Sequence, residues 1–155
     1  MRLTRRDLVI ALVSILATGC AFAVAAPKPA VLGWSVYDWN SIPVVKNANG
    51  ESRQFLRAPT ATLDQLEIHA TTLNPGAQSH PPHRHFNEEV IIVDRGNVEA
   101  FGLGKWTRLG PGSVIFNASN TLHAVRNAGA TPATYHVISF ITPETKRLEA
   151  AAKHE

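Results

Sequence analysis

The apolar residues from Leu63 onward fall into short runs separated by glycine, proline and asparagine. Leu63 to Leu73 predicts a strand that ends at Asn74-Pro75-Gly76. Glu89 to Val93, rich in β-branched residues, predicts a second that stops at Asp94-Arg95-Gly96-Asn97. Val98 to Phe101 and Lys105 to Leu109 flank Gly102-Leu103-Gly104, the pattern of a hairpin. After the turn Leu109-Gly110-Pro111-Gly112, strands follow over Ser113 to Phe116, Leu122 to Arg126 and Ala133 to Ile141. Turn signals about every ten residues, with no helix–strand alternation, mark an all-β sandwich or barrel.

The two ends of the chain differ from this body. Thr142-Pro143-Glu144 supplies an N-cap, a proline suited to the first helical position and an acid in the first turn, so a short helix is expected from Pro143 to about Lys153. Residues 27–62 hold Trp34, Tyr37 and Trp39 and predict irregular structure with edge strands, the aromatics serving core or interface packing. At the N-terminus, Thr4-Arg5-Arg6-Asp7-Leu8 places a twin-arginine pair before an apolar stretch that ends at Ala17. That stretch is shorter than the roughly 20 apolar residues of a bilayer span and has the order of a signal peptide. Ala21-Phe22-Ala23 and Ala23-Val24-Ala25 both fit a small-x-small cleavage site, so residues 1–25 form the expected leader. Ala17-Thr18-Gly19-Cys20 offers lipid anchoring at Cys20 as the alternative. The division that follows is leader 1–25, extension and edge strands 26–62, barrel 63–141, and helix and tail 142–155.

Charge changes meaning once the leader is set aside. The chain has 15 basic residues, of which Arg2, Arg5 and Arg6 leave with the leader, and 12 acidic ones, of which Asp7 leaves; 12 and 11 remain. The mature chain is then almost neutral and offers no clustered basic face for nucleic acid. Its single cysteine, Cys20, also lies in the leader, which excludes an internal disulfide and a cysteine-built zinc site. Export to the periplasm or beyond is expected, with no stable membrane span after cleavage, and the twin-arginine pair matches the route taken by proteins folded before export.

Candidate chemistry concentrates in His83-Arg84-His85-Phe86-Asn87-Glu88-Glu89 and in His123. In a regular strand from 83 to 89, His83, His85 and Glu89 share one face and Glu88 takes the other. Imidazoles and a carboxylate converging on one point are ligands for a divalent first-row metal, and His123 from a distant strand completes a set of four. Arg84 and Arg126 alternate with these residues and are expected to face away. His80, before Pro81-Pro82, is open to three readings: a further ligand, a proton shuttle at the cavity mouth, or an exposed loop residue. His69 and His136 lie on predicted strands, where a hydrogen-bonded structural histidine or a pocket-lining one fits.

These residues resemble the cupin superfamily. Its first motif is matched by Gly76, His83-x-His85, Glu89 and Gly96, with the leading glycine one residue further upstream than usual. Its second is matched by Gly112, His123 and Asn127, with Ala118 in place of a proline and Asn120 in place of a glycine. Asparagine tolerates the left-handed conformation better than other non-glycine residues, so the turn at Asn120 is expected to survive. The resemblance covers residues 63–141. It implies a small cupin (double-stranded β-helix or jelly-roll) barrel and His83, His85, Glu89 and His123 as metal ligands, and a homodimer, for which segment 27–62 could supply the interface. The nitrogen and oxygen donors fit manganese, iron, nickel or zinc, and loading before export by the twin-arginine route favours manganese or iron. Ile91, Val93 and Val125 share the metal-facing parity and predict a largely apolar cavity, poor in acids apart from Glu89. The function expected is that of an exported metalloenzyme of small molecules, of oxygenase, decarboxylase, isomerase or aminohydrolase type. The alternative is a non-catalytic periplasmic protein that captures a small ligand on its metal.

Overall fold

The computed structural model describes residues 30–153. The leader expected at 1–25, including Cys20, lies outside the described residues.

Nine strands are formed among the described residues: β1 Val45–Asn47, β2 Gly50–Ala58, β3 Gln65–Leu73, β4 Glu88–Arg95, β5 Val98–Gly102, β6 Lys105–Leu109, β7 Val114–Asn117, β8 Ala124–Asn127 and β9 Ala133–Ile141. They build a six-stranded antiparallel sheet in the order β1-β2-β3-β9-β4-β7 and a three-stranded sheet in the order β6-β5-β8. The all-β barrel with a C-terminal helix read from the turn pattern is the fold observed. β3 pairs with β9 along its whole length, from Gln65↔Ile141 to Leu73↔Ala133. The side chains of alternate residues on these strands therefore divide cleanly between an inner and an outer face.

Inside, Leu73, Ile91, Val93, Val98, Val125, Ala133, Tyr135 and Val137 pack as one cluster. Full burial of an aliphatic side chain such as Leu73 or Val98 contributes about 1.5–3 kcal/mol. Outside, Trp39 lies against Phe55 and His136, with ring centroids 6.0 and 5.8 Å apart, and the Arg53 guanidinium covers its face at 4.4 Å. Of Trp34, Tyr37 and Trp39, Trp39 is thus used in packing, whereas Trp34 is 94% exposed.

Two turns carry the strain of the design. In the β5–β6 hairpin Leu103 and Gly104 both have positive φ, 50° and 79°, the two-residue geometry that matches strand twist. Gly96, with φ 77°, ends β4 so close to Ala133 that a Cβ would stand 2.7 Å from the Ala133 Cα. The second strand, β2, forms within residues 27–62, where the sequence predicts irregular structure with edge strands. β1 is at the sheet edge, but β2 lies between β1 and β3.

At the C-terminus, helix α1 spans Pro143–Ala152. The Thr142 hydroxyl accepts from the Thr145 backbone N–H at 3.2 Å, which makes it the cap expected of it.

Candidate metal centre

His83, His85 and His123 come together with one ring nitrogen of each within 4.8 Å of the others. The route by which they meet differs from the regular strand expected over 83–89. β4 begins only at Glu88, and the segment before it is irregular. His83 instead forms an isolated antiparallel bridge with His123, each backbone N–H donating to the other's carbonyl at 3.0 Å. His85 follows on a loop held by the Asn120 N–H, which donates to the His85 carbonyl at 2.8 Å, and by Arg84, whose guanidinium donates to the Asn120 carbonyl at 2.7 Å. Proline at 81 and 82 supplies no backbone N–H and breaks the ladder here, so strand parity is replaced by one cross-chain bridge and one loop. Asn120 has φ 57°, the left-handed conformation expected where the motif has glycine. Arg84 and Arg126 both point away, Arg126 onto Glu99 and over the Trp106 ring at 4.1 Å.

The tautomers follow from the hydrogen bonds. The Nδ1 of His83 lies 3.2 Å from the Pro81 carbonyl, that of His85 2.8 Å from the Asn87 carbonyl, and that of His123 2.8 Å from the Thr121 carbonyl. A carbonyl oxygen only accepts, so each Nδ1 carries the proton and each Nε2 presents a lone pair. The Nε2 of His123 is buried and has no hydrogen-bond partner. A buried polar atom left this way costs free energy unless something else occupies its lone pair. Burial also lowers the His123 pKa, an effect the Thr121 carbonyl and Glu89 only partly oppose.

Glu89 completes the arrangement at the start of β4. Its carboxylate oxygens lie 3.8 Å from the Nε2 atoms of His85 and of His123, too far for hydrogen bonds and close enough to share a cation with both. Asn117, paired with Glu89 across β4 and β7, donates to its Oε1 at 3.0 Å. Glu88 is exposed, as the opposite parity requires. Three lone pairs and a carboxylate that face each other, each braced from behind, match the supported donor set of a metal centre.

The centre opens onto a cavity of about 580 Å³. Leu73, Ile91, Val125, Tyr135 and Val137 form its apolar side. Val93 belongs to the core instead of the lining, which corrects the expectation for that residue. The cavity is also richer in acids than expected, because the side formed by β2 and β3 carries Glu67 beside Ser52, Gln54, His69 and Thr71. Glu67, His69, Thr71 and Leu73 alternate along β3, so parity in that strand held the signal for this wall. His69 faces the cavity with its Nδ1 3.3 Å from the Glu67 carboxylate. His136 faces the other way, against Trp39 and Phe55. His80 lines the cavity as well, its ring 5.1 Å from that of His83 but outside the trio of converging histidines. Partial burial and the neighbouring His83 lower its pKa. Tyr135, not singled out in the sequence, reaches the same cavity with its hydroxyl bonded to Ser79 and Thr71, and burial raises its pKa.

The motif residues that carry no donor prove to be structural. Asn127 is buried, donates to the Leu73 and Thr131 carbonyls at 3.0 and 2.8 Å, and accepts from the Gly129 N–H.

Residues 69–139 match the family model described as a cupin domain. Among solved structures, the chain is similar to an RmlC-like cupin from Shewanella frigidimarina, at 14% identity and TM-score 0.59, over 76% of this chain and 96% of that one. It is similar also to a predicted oxalate decarboxylase from Thermotoga maritima, at 19% identity and TM-score 0.58, over 69% of this chain and 99% of that one. A third, the polyketide cyclase RemF from Streptomyces resistomycificus, shares 17% identity at TM-score 0.59, over 70% of this chain and 80% of that one. No curated protein matches the sequence. Two motifs on one antiparallel barrel and a matching family model identify residues 69–139 as a cupin domain.

Proposed function

We propose that the chain binds one divalent metal through His83, His85, Glu89 and His123 and acts on a small organic molecule held beside it. The observation that carries this reading is the set of three Nδ1–H groups tied to backbone carbonyls, which turns every Nε2 lone pair toward one point. The oxygen and nitrogen donors fit manganese or iron, and nickel or zinc is compatible. Such an ion supplies Lewis acidity or an activated water when bound. An ion held by these four protein donors would keep room for water or ligand oxygens. The protein's own residues orient the ligand between the apolar side of the cavity and its polar wall. His69, beside Glu67 and outside the donor set, is placed to exchange a proton with a molecule in the cavity.

Elemental analysis of protein purified without chelators or affinity metals tests this directly. About one equivalent of manganese or iron per chain is expected. A folded chain with no metal, and none taken up on titration, overturns the reading and leaves a metal-free binding protein. Turnover in a small-molecule screen separates an enzyme from a protein that only captures its ligand.

Export is part of the proposal and rests on the leader sequence. So does the advantage of loading the metal before transport, since raw affinity would otherwise favour copper(II) or zinc. A homodimer is proposed on the exposed apolar residues. Phe116 and Val114 on the edge strand β7 are 60% and 63% exposed, next to Ile92 on β4. Light scattering that gives a monomer at micromolar concentration would reject it.

A further inference from the structure

The cavity carries an unusual charge pattern for a metal site. Among the described residues that line it there is no lysine or arginine, whereas Glu67 and Glu89 present carboxylates to it. One of these carboxylates is already matched by a side chain outside the lining. Glu67 bonds the Arg57 guanidinium at 2.6 Å. Glu89 is different, since its ion-pair neighbours among the described residues are the neutral-ring His85 and His123. With a divalent ion beside Glu89, the site as a whole carries one positive charge.

From this balance, and resting on the metal reading above, we infer that the cavity selects a monoanion that chelates through two adjacent oxygens and carries an apolar body, and that it rejects dianions. One negative charge neutralises the site. The two oxygens take the room left on the ion, and Leu73, Ile91, Val125 and Val137 receive the carbon skeleton. A second carboxylate or a phosphate on the same ligand has no fixed cation to meet. It would lie against that apolar side or face Glu67, and either placement strips water from a charge without a partner. The substrate class is therefore a 2-hydroxy or 2-oxo monoacid, or an enolate or catecholate of equal charge. Dicarboxylates and sugar phosphates are excluded.

A matched pair of probes tests the inference. 2-Hydroxybutanoate and malate share a chelating end and differ in a methyl group against a carboxylate. Calorimetric titration of each into the full chain loaded with manganese(II) is expected to show 2-hydroxybutanoate binding about tenfold tighter or more. In free solution charge favours the dianion on the metal, so the expected order is the reverse of intrinsic chelation. Gln54→Arg places a cation on the polar wall and is expected to raise malate affinity by about tenfold, while 2-hydroxybutanoate stays within about threefold. Glu67→Gln removes a carboxylate from that wall and narrows the preference in the same direction, should the arginine variant fold poorly. Malate binding as tightly as 2-hydroxybutanoate to the unmodified chain, or neither acid binding to metal-loaded protein, overturns the inference and leaves the metal centre standing. Failure to take up the metal at all removes the proposed function first and this selectivity with it.

Discussion

The two sides of the cavity are held by different forces. On the side of His83, His85 and His123, each ring is fixed by a hydrogen bond to a carbonyl only two residues away in the chain. On the facing wall, Glu67 is held by the Arg57 side chain, which is 59% exposed. Hydrogen bonds to a neighbouring backbone carbonyl need no second side chain to be held in place, whereas exposed ion pairs are weak and screened. The chemistry that needs geometry is thus built on the backbone. The chemistry that needs only charge is left to side chains.

Breaking the histidine side should have the largest effect. His123→Ala removes a donor from the middle of the cluster and is expected to lower metal affinity by about 100-fold or more, read by competition with a fluorescent chelator. Glu88→Ala, one residue from Glu89 but turned outward, should leave metal content unchanged; if it empties the site instead, Glu89 is not the ligand.

Loss of a supporting group comes next. Asn117→Ala releases the Glu89 carboxylate from its brace and is expected to cost about tenfold in the same titration. An unaltered affinity would mean that Glu89 needs no support from β7.

A smaller effect concerns acid. His123 has its pKa lowered by burial, so the folded metal-free chain binds a proton there less readily than the unfolded chain. Stability from this group is present above the ordinary histidine value of about 6.5 and is lost as pH falls through the lowered folded value. The melting temperature of metal-free protein should fall from pH 7 to pH 5, with a shallower slope in His123→Gln. Equal slopes would show that other groups dominate.

The smallest effect is expected on the facing wall. Arg57→Gln should leave metal affinity within about twofold, since the exposed pair it breaks contributes little. A large loss would dissolve the contrast between the two sides.

The same contrast explains what could be read from the sequence. Strand β9 lies where the sequence predicts it, at Ala133 to Ile141, because buried apolar side chains leave a pattern, and β6 at Lys105 to Leu109 is marked by the Gly102-Leu103-Gly104 turn before it. β2 left none: its Glu51, Ser52, Arg53 and Gln54 meet the cavity or an outer pairing with polar groups, so a central strand is written in the composition of a loop. The four donors were legible from their spacing, but the reason for their convergence was not. Parity pictured a strand over 83–89, whereas the chain uses the His83–His123 bridge, a contact forty residues apart in sequence and beyond the reach of any local rule. Glu67 and His69 were within reach of parity in β3, but a wall is recognised only once the strand opposite it is known.

That bridge has a mechanical side. Between the loop 77–83 and the strand β8 the two sheets are stitched by four backbone hydrogen bonds, donated by Ser79, His83, His123 and Asn127. The β3–β9 ladder, by comparison, runs for nine residues. A cation shared by His83 and His123 would act as a clasp on the weaker seam, so hydrogen exchange in the metal-free chain should begin there and spread last to β3 and β9. Loading would then close the mouth of the barrel as well as arm it, a matter of shape as much as of chemistry.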